Sequence, residues 1–321
     1  MLRVDIARNV APVIAVVGAT ASGKSQLAIA LAKEVGGDVV NADSMQLYHG
    51  MDIGTAKLPV AERGGVPHHL LDIWEVTEAA SVADYQRRAR ATFTEIASRG
   101  RRGVLVGGSG LYVRAALDDL EFPGTDPGVR GRLEAELIAY GSTALHARLA
   151  RVDPVAAERI LTGNGRRIVR ALEVVEITGR PYLASLPEPA YAVPAVQIGI
   201  EIPRPVLDQR IAARVEAMWQ AGFVAEVRDL AESAGLGRGR TASRALGYAQ
   251  VLRYLAGEWS EQQARAETVR ATRRFARRQE TWFRRDPRVY WLGHDDPALV
   301  SRAVEASRGI NSATVPNGVS P

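Results

Sequence analysis

The chain of 321 residues contains no cysteine, which excludes disulfides and cysteine-ligated zinc or iron–sulfur sites. It has no stretch that approaches the ~18 uninterrupted apolar residues of a membrane span. Residues 1–13 include Arg3, Asp5 and Arg8 and lack the apolar core of a secretory signal. These absences predict a protein without disulfides, membrane spans or a secretory signal, and they allow a reducing compartment.

Lysine is also scarce, since only Lys24, Lys33 and Lys57 are lysines among 41 basic residues. The others are arginines, and the formal net charge is +5 with a pI near 9.7. Arginine forms planar forks that suit phosphates and stacks on bases, although GC-rich codons would also enrich it. The overall charge leaves a nucleic-acid partner open, and the distribution of the arginines is more informative.

Short apolar runs alternate with segments of helical periodicity, which predicts an α/β fold with a doubly wound parallel sheet. The predicted strands are residues 13–17, 38–42, 103–106 and 196–202. The predicted helices of this part are residues 24–35, 82–97, 205–230 and 260–285.

A change in composition interrupts this alternation. Residues 121–131 are rich in proline and glycine, residues 129–179 are helical and rich in arginine, alanine and leucine, and residues 181–194 are rich in proline again. We predict a core of residues 10–119 and 194–300, interrupted by a small helical insertion domain at 120–193. The small, polar tail at 308–321 is expected to be disordered.

A phosphate-binding loop follows the first predicted strand and precedes a helix. It consists of Gly18, Ala19, Thr20, Ala21, Ser22, Gly23, Lys24 and Ser25, and it matches the P-loop pattern in full. The glycines let backbone N–H groups face phosphate oxygens, Lys24 neutralises the terminal phosphates, and Ser25 can ligate Mg²⁺. The pattern does not identify the ligand, because ATP, GTP and a non-nucleotide diphosphate would all fit.

Asp43 follows the second predicted strand, at the edge of an open α/β sheet where ligands bind. Three roles are open for its carboxylate: a Mg²⁺ ligand, a general base, or a cap for the next segment. Another strand leads into the turn Gly107-Gly108-Ser109-Gly110, which should open at the same edge. The glycines allow a ligand to approach the backbone, and Ser109 offers it a hydroxyl, although such a turn can also serve only to pack a helix on the sheet.

The remaining polar clusters are ambiguous. The adjacent pair His68 and His69 should diverge, which favours a structural turn over metal chelation. Arg210 and Arg214 are four residues apart on one predicted helix and can clamp one anion together, or lie as a surface pair.

Arginines crowd the predicted helix 260–285. Arg270, Arg274, Arg277 and Arg278 fall on one side of it, and like charges at this spacing repel by a few tenths of a kcal/mol each. A nucleic-acid backbone would relieve that repulsion, as would salt bridges to acidic residues elsewhere.

Taken together, the motifs resemble the bacterial tRNA dimethylallyltransferases, also called tRNA isopentenyltransferases. The matching stretches run in family order: GATASGKS (18–25), NADSMQLYHGMDIGTAK (41–57), PHHLLD (67–72), SVADY (81–85), LVGGSGLY (105–112), DPVAAERI (153–160), RRIVRALEVVEITG (166–179), LDQRIAARVEAMWQAGFVAEV (207–227), SRALGY (243–248) and RRQETWFRRD (277–286). Each stretch is weak alone, and the ordered set is specific.

The resemblance implies transfer of a dimethylallyl group from dimethylallyl diphosphate to N6 of the adenosine 3′ of a tRNA anticodon, position 37. It implies that the P-loop binds the diphosphate with Mg²⁺, that Asp43 is the general base, and that Ser109, Lys24 and either Arg210 or Arg214 assist. Ser109 stands where the family usually has threonine, and Ala19 where proline is common. Without cysteine, the zinc finger of eukaryotic relatives is absent.

The resemblance also implies the partner and the residues that contact it. The expected tRNA-binding positions are Asp43, Ser44, Met45, Gln46, Ser109, Arg130, Arg166, Arg167, Ile168, Val169, Arg170, Arg244, Ala245, Leu246, Gly247, Tyr248, Ala249, Arg277, Arg278, Gln279, Trp282 and Arg284. We expect a cytoplasmic monomer that acts on the tRNA anticodon stem-loop. The alternative is an ATP-dependent P-loop kinase for a nucleoside or another small molecule, which would not explain the basic helix.

Overall fold

A computed structural model of the chain describes residues 12–182 and 186–308. The tail expected to be disordered lies outside the described residues, except for Arg308, which ends a helix. The described residues divide into two compact units, one formed by residues 12–119 and 191–308 and the other by Leu120–Ala190. None of the helices in the described part is long and apolar enough to cross a membrane.

The first unit is built on a sheet of six strands, all parallel, in the order β3-β2-β4-β1-β5-β6. The strands are β1 Val13–Val17, β2 Gly37–Asn41, β3 His68–His69, β4 Arg102–Gly107, β5 Ala195–Glu201 and β6 Val289–Gly293. Every residue of β1 and β2 is buried, as expected for strands covered on both faces. The predicted parallel α/β fold is confirmed.

Eleven α-helices occur in the described residues. They are α1 Lys24–Val35, α2 Val82–Ser98, α3 Gly110–Leu117, α4 Pro127–Val152, α5 Pro154–Arg159, α6 Gly165–Thr178, α7 Arg204–Gln220, α8 Phe223–Glu232, α9 Tyr248–Leu255, α10 Glu261–Arg284 and α11 Leu299–Arg308. The ones that pack most on the sheet are α1, α2, α3 and α11. The predicted helix 205–230 is two helices, because Gly222 adopts the left-handed conformation between α7 and α8.

The strand order changes direction at β1. The strands β4, β2 and β3 lie on one side of β1, and β5 and β6 lie on the other. In open parallel sheets, the carboxyl ends of the strands at such a switch point form a crevice for ligands. The phosphate loop follows β1 directly, so the topology places it at this crevice.

The core of this unit lies between the sheet and the helices α1 and α11. Its buried members are Ile14, Val16, Leu27, Ala28, Leu31, Ala32, Val39, Val66, Val104, Ile198, Ile200, Leu292 and Ala303. Because β1 and α1 both contribute to this cluster, the loop between them is anchored at both ends by apolar packing.

The histidine pair forms a short edge strand, and the expectation of a turn was wrong. His68 and His69 pair with Val39 and Val40 of β2. The rings diverge as expected: His68 Nδ1 lies 2.8 Å from the Val66 carbonyl, and His69 Nε2 lies 3.0 Å from Oδ2 of Asp38. Within the described residues, no group of three or more His, Cys, Asp and Glu side chains could hold a metal ion.

The second unit consists of α4, α5 and α6 around a small core of its own. Its buried residues are Leu133, Leu145, Leu149, Ala156, Ala157, Ile160, Ile168, Val169, Ala171 and Leu172. The helix α4 is kinked at Gly141, which has a φ of 77°. Asp126 begins α4 by accepting the N–H groups of Gly128 and Val129.

Candidate active site

The phosphate loop turns sharply between β1 and α1. Gly18 and Gly23 have φ values of 138° and 100°, in a region that favours glycine. Ala21 is a non-glycine residue with a φ of 64°, a conformation that often marks functional loops. The Nζ of Lys24 donates to the Ala19 carbonyl at 2.5 Å, so the ammonium group lies across the loop. This geometry, which also places Ser25 in the first turn of α1, matches a phosphate cradle.

The charge of Lys24 is held in balance by its neighbours. Burial and the positive charge of Arg214 lower the pKa of Lys24 to about 7, and the negative charge of Asp43 opposes them. Lys24 is therefore only partly protonated at neutral pH. An anion placed on the loop would favour its charged form, since opposite charges at close range stabilise each other.

Asp43 lies just beyond β2, near the positive charges of Lys24 and Arg214. Burial raises the pKa of its carboxyl above the usual value, although the Met45 N–H, Lys24 and Arg214 act in the opposite direction. Oδ1 accepts the Met45 N–H at 2.9 Å, so the capping role predicted as one alternative is present. A raised pKa makes a carboxylate a better proton acceptor, and this arrangement is therefore compatible with a general base as well.

Ser109 connects the turn after β4 to the segment that carries Asp43. Its Oγ accepts the Ser44 N–H at 3.2 Å, and its hydroxyl donates to the Ser44 Oγ at 3.2 Å. The sequence predicted that both strand ends open at one edge, and these contacts bring Ser109 beside the residue that follows Asp43. The phosphate loop, Asp43 and Ser109 thus belong to one site.

The glycines of this turn are packed closely against the protein itself, which supports the alternative that the turn serves packing. A Cβ on Gly107 would lie 2.4 Å from the Ala42 backbone. A Cβ on Gly108 would lie 2.1 Å from Nε2 of Gln279, and one on Gly110 would lie 2.1 Å from Nε1 of Trp282. The turn therefore packs directly against β2 and α10.

The two candidate arginines on α7 differ in their surroundings. Arg214 is partly buried, and its Nη1 donates to the Thr20 Oγ1 of the phosphate loop at 3.3 Å. Arg210 is exposed, and its Nη2 lies 3.3 Å from Nδ1 of His294. Both arginines line a cavity of about 660 Å³ beside the phosphate loop, together with Ser22, Gly23, Gln26, Leu27, Ile200, His294 and Leu299. Arg214 is the one that contacts the loop.

Most arginines of α10 are neutralised by carboxylates. Glu267 pairs with Arg270 and Arg274, and Glu201 pairs with Arg284. For Arg270 and Arg274, the structure therefore shows the alternative of relief by salt bridges. Arg277 and Arg278 are exposed and have no carboxylate partner within the described residues. They leave a smaller positive surface than the sequence indicated.

The SRALGY motif (243–248) is largely buried. Arg244 is exposed, whereas Ala245, Gly247 and Tyr248 are buried. The Tyr248 hydroxyl donates to Oε1 of Glu226 at 2.6 Å, so this side chain belongs to the core. Leu246 and Ala249 are partly exposed.

Glu226 is a structural residue that the sequence did not reveal. Its carboxylate accepts the N–H groups of Asp52, Ile53 and Gly54 at 3.1, 2.6 and 3.2 Å, besides the hydroxyl of Tyr248. One carboxylate thereby fixes the loop that continues from the Asp43 segment. Only the fold brings residues so far apart in the chain together, and no local pattern around Glu226 predicts it.

Gln46 belongs to the same loop, and its side chain supports the loop from within. Nε2 of Gln46 donates to the Thr55 carbonyl at 3.1 Å. Ser44, Met45 and Gln46 are all partly exposed, so the segment after Asp43 is accessible at the site.

The arginines of the second unit also fall into two groups. Arg130 and Arg170 both bind the buried carboxylate of Glu173, and their hydrogen bonds outweigh the effect of burial and lower its pKa. Arg166 and Arg167 are exposed at the start of α6. Ile168 and Val169 are buried in the core of this unit. Of this predicted tRNA-binding segment, only its first two residues and part of Arg170 face solvent.

Comparison with known proteins identifies relatives over most of the chain. The model of the IPP transferase family matches residues 46–286. A tRNA dimethylallyltransferase of Thermobifida fusca is 67% identical over 296 residues, which is 91% of this chain and 92% of the relative. One of Streptomyces avermitilis is 68% identical over 280 residues, which is 87% of this chain and 89% of the relative.

A solved structure agrees with these relatives. The crystal structure of a tRNA isopentenylpyrophosphate transferase from Bacillus halodurans is 40% identical to this chain, with a TM-score of 0.67. The similarity covers 94% of this chain and 96% of that protein. The likeness therefore extends over most of the chain.

Proposed function

Since this chain belongs to the IPP transferase family, we propose that it transfers a dimethylallyl group from dimethylallyl diphosphate to N6 of the adenosine at tRNA position 37. The products are N6-isopentenyladenosine and diphosphate. The observation that carries the proposal is the meeting of a phosphate loop with a partly buried carboxylate, Asp43, whose pKa is raised because its surroundings desolvate it. The loop suits a diphosphate and the carboxylate suits the removal of a proton.

In the proposed reaction, the N6 amine attacks the allylic C1 carbon. The N6–C1 bond forms, the C1–O bond to the diphosphate breaks, and one N6 proton passes to Asp43. The exocyclic amine is a weak nucleophile because its lone pair is delocalised into the ring, so removal of its proton assists the attack. The base must leave the anticodon stack to reach Asp43, at a cost of roughly a few kcal/mol.

The leaving diphosphate would be stabilised by the groups around the phosphate loop. Lys24 lies across the loop, and Arg214 reaches Thr20 from α7. Ser109 is the hydroxyl on the acceptor side, next to Ser44. Preorganised donors aimed at developing negative charge are an effective form of catalysis in a partly enclosed site. We assign the diphosphate contact to Arg214 rather than Arg210, because Arg214 contacts the loop itself.

The donor set also fits Mg²⁺. The Ser25 hydroxyl is in the first turn of α1 and makes no hydrogen bond within the described residues. The described residues contain no cluster of carboxylates that could hold the ion. Ser25 and the diphosphate oxygens would therefore hold it, and Asp43 would be the nearby carboxylate. A bound Mg²⁺ would neutralise charge on the departing diphosphate.

The tRNA contacts proposed here are the accessible members of the family segments. Exposed members are Arg166, Arg167, Arg244, Arg277, Arg278, Trp282 and Arg284, and partly exposed members are Ser44 and Met45 beside Asp43. The buried residues Ile168, Val169, Gly247 and Tyr248 would support these contacts from the interior. Arginine contacts to the phosphate backbone should make the affinity for tRNA fall steeply with salt.

One assay distinguishes prenyl transfer from the kinase alternative. The protein is incubated with an anticodon stem-loop RNA, dimethylallyl diphosphate and Mg²⁺, without ATP. A mass gain of one dimethylallyl group on the RNA supports the proposal, and a stem-loop with guanosine at position 37 is the matched control. Phosphate transfer from ATP without prenylation would instead support the kinase.

Because the proposed acceptor is tRNA, we propose that the reaction takes place in the cytoplasm. We also propose that the chain acts as a monomer, since every group named in the reaction comes from one chain. Light scattering of the protein with and without tRNA tests this. A dimer at assay concentrations would contradict it.

A further inference from the structure

The side chain of Gln279 joins the two loops of the candidate site. It lies on α10 and is 5% exposed. Its Oε1 accepts the Thr20 N–H of the phosphate loop at 2.8 Å, and its Nε2 donates to the Gly108 carbonyl at 2.9 Å. Both ends of one amide are therefore engaged by backbone groups of different loops.

Few other side chains could make this connection. The site requires an acceptor toward Thr20 and a donor toward Gly108 at the tip of one side chain. An ionised glutamate accepts at both atoms and cannot donate to a carbonyl. A Cβ on Gly108 would lie 2.1 Å from Nε2 of Gln279, so a larger residue there would displace the amide.

The connection extends from the phosphate loop to the proposed base. Gly108 precedes Ser109, whose Oγ accepts the Ser44 N–H, and Ser44 follows Asp43. On one side, Gln279 holds the loop that would carry the leaving diphosphate. On the other side, it holds the turn that contacts the acceptor segment.

We propose that Gln279 is a positioning residue that sets the distance between the diphosphate on the phosphate loop and the base Asp43. This inference rests on the proposed function, and it differs from the tRNA contact implied by family resemblance. Gln279 does not contact tRNA, because it is buried and both of its polar atoms are occupied. Catalysis by positioning is sensitive to small errors, since a shift of 1 Å can cost about a hundredfold in rate.

The test compares Gln279→Met and Gln279→Glu with a matched control in the same helix. Methionine keeps the length of the side chain and removes both hydrogen bonds. Glutamate keeps an acceptor for Thr20 and adds a negative charge beside the diphosphate. The control is Thr268→Val, because Thr268 is equally buried and its hydroxyl donates at 2.8 Å to Ala264 within α10.

We expect Gln279→Met to lower kcat by about a hundredfold. Its KM and Kd for the anticodon stem-loop should stay within about threefold of the original protein, with a Tm like that of Thr268→Val. Both variants should raise the KM for dimethylallyl diphosphate, and Gln279→Glu should raise it more because it adds a negative charge beside the loop. If Gln279→Met keeps kcat within about threefold, or loses tRNA affinity while kcat is unchanged, the positioning role is wrong.

Binding of inorganic diphosphate, measured by calorimetry, separates this inference from the proposed function. Both Gln279 variants should bind diphosphate more weakly than Thr268→Val, whatever reaction the protein performs. Failure of the unaltered protein to prenylate RNA would refute the proposed function alone. Equal diphosphate affinity in all three variants would refute the positioning role. If Gln279→Met fails to fold, the same comparison is made with Gln279→Glu.

Discussion

Lys24 should take up a proton when a diphosphate binds, because its surroundings disfavour the charge in the free protein. Burial and then Arg214 lower its pKa from 10.5 to about 7. Above pH 7 the free protein therefore holds Lys24 mainly neutral. A diphosphate on the loop reverses the balance, since the charged form gains a close anionic partner.

The size of the effect follows from the pKa of about 7. At pH 8, roughly 10% of Lys24 is protonated in the free protein, so binding should take up about 0.9 proton. At pH 6, about 90% is already protonated, and the uptake falls to about 0.1 proton. For the same reason, affinity for diphosphate should fall about tenfold for each pH unit above 7, or about 1.4 kcal/mol.

Calorimetry in two buffers that differ in ionisation enthalpy measures the proton uptake. The control is Lys24→Arg, whose guanidinium stays charged and takes up no proton at this position. The ionisation of diphosphate itself contributes equally to both proteins, so their difference reports Lys24. In Arg214→Gln, loss of the neighbouring charge should raise the pKa of Lys24 and reduce the uptake at pH 8.

Equal proton uptake by the original protein and Lys24→Arg at both pH values would refute this reasoning. It would mean that Lys24 is fully charged before the anion arrives. An unchanged uptake in Arg214→Gln would show that burial alone perturbs Lys24.

The remaining predictions concern the base, the arginine pair and the glycine turn. Asp43→Asn should lower kcat by about 10²–10⁴, while its Kd for the stem-loop changes less than about threefold; normal turnover would refute the base. Arg214→Gln should raise the KM for dimethylallyl diphosphate by more than about tenfold, as expected for loss of a charged hydrogen bond, and Arg210→Gln should change it less than about threefold. Equal effects in steady-state assays would contradict this assignment. Gly110→Ala should destabilise the fold by about 1–3 kcal/mol in urea unfolding, because its Cβ meets the indole of Trp282; an unchanged midpoint would show that the ring moves freely.

Much of the fold could be predicted because local patterns of apolar residues indicate the strands and helices. Val13–Val17 and Lys24–Val35 were predicted with the bounds that the structure has. The strand β6 was missed, since Val289–Gly293 is short and only half buried on one edge of the sheet. The helices α3 and α9 were missed for a related reason: with eight residues each, they show too few turns for a periodic signal.

The site could be predicted in part. Asp43 and Ser109 were identified because each follows a strand, and parallel strands end at a common edge. Arg210 and Arg214 could not be told apart, because their spacing puts both on one helical face and only the packing of α7 shows which one reaches Thr20. The salt bridges from α10 to Glu201 and Glu216 could not be predicted either, because these residues are distant in the chain.

The sequence by itself determined a phosphate-loop pattern and a parallel sheet, because these depend on glycine positions and apolar periodicity. The tertiary structure decided which side chains face the loop and which support it. Gln279 shows the difference: its motif suggested an RNA contact, whereas packing buries it between Thr20 and Gly108. A hydrogen bond between residues so distant in the chain depends on how α10 packs against the loops, and no local sequence pattern predicts that packing.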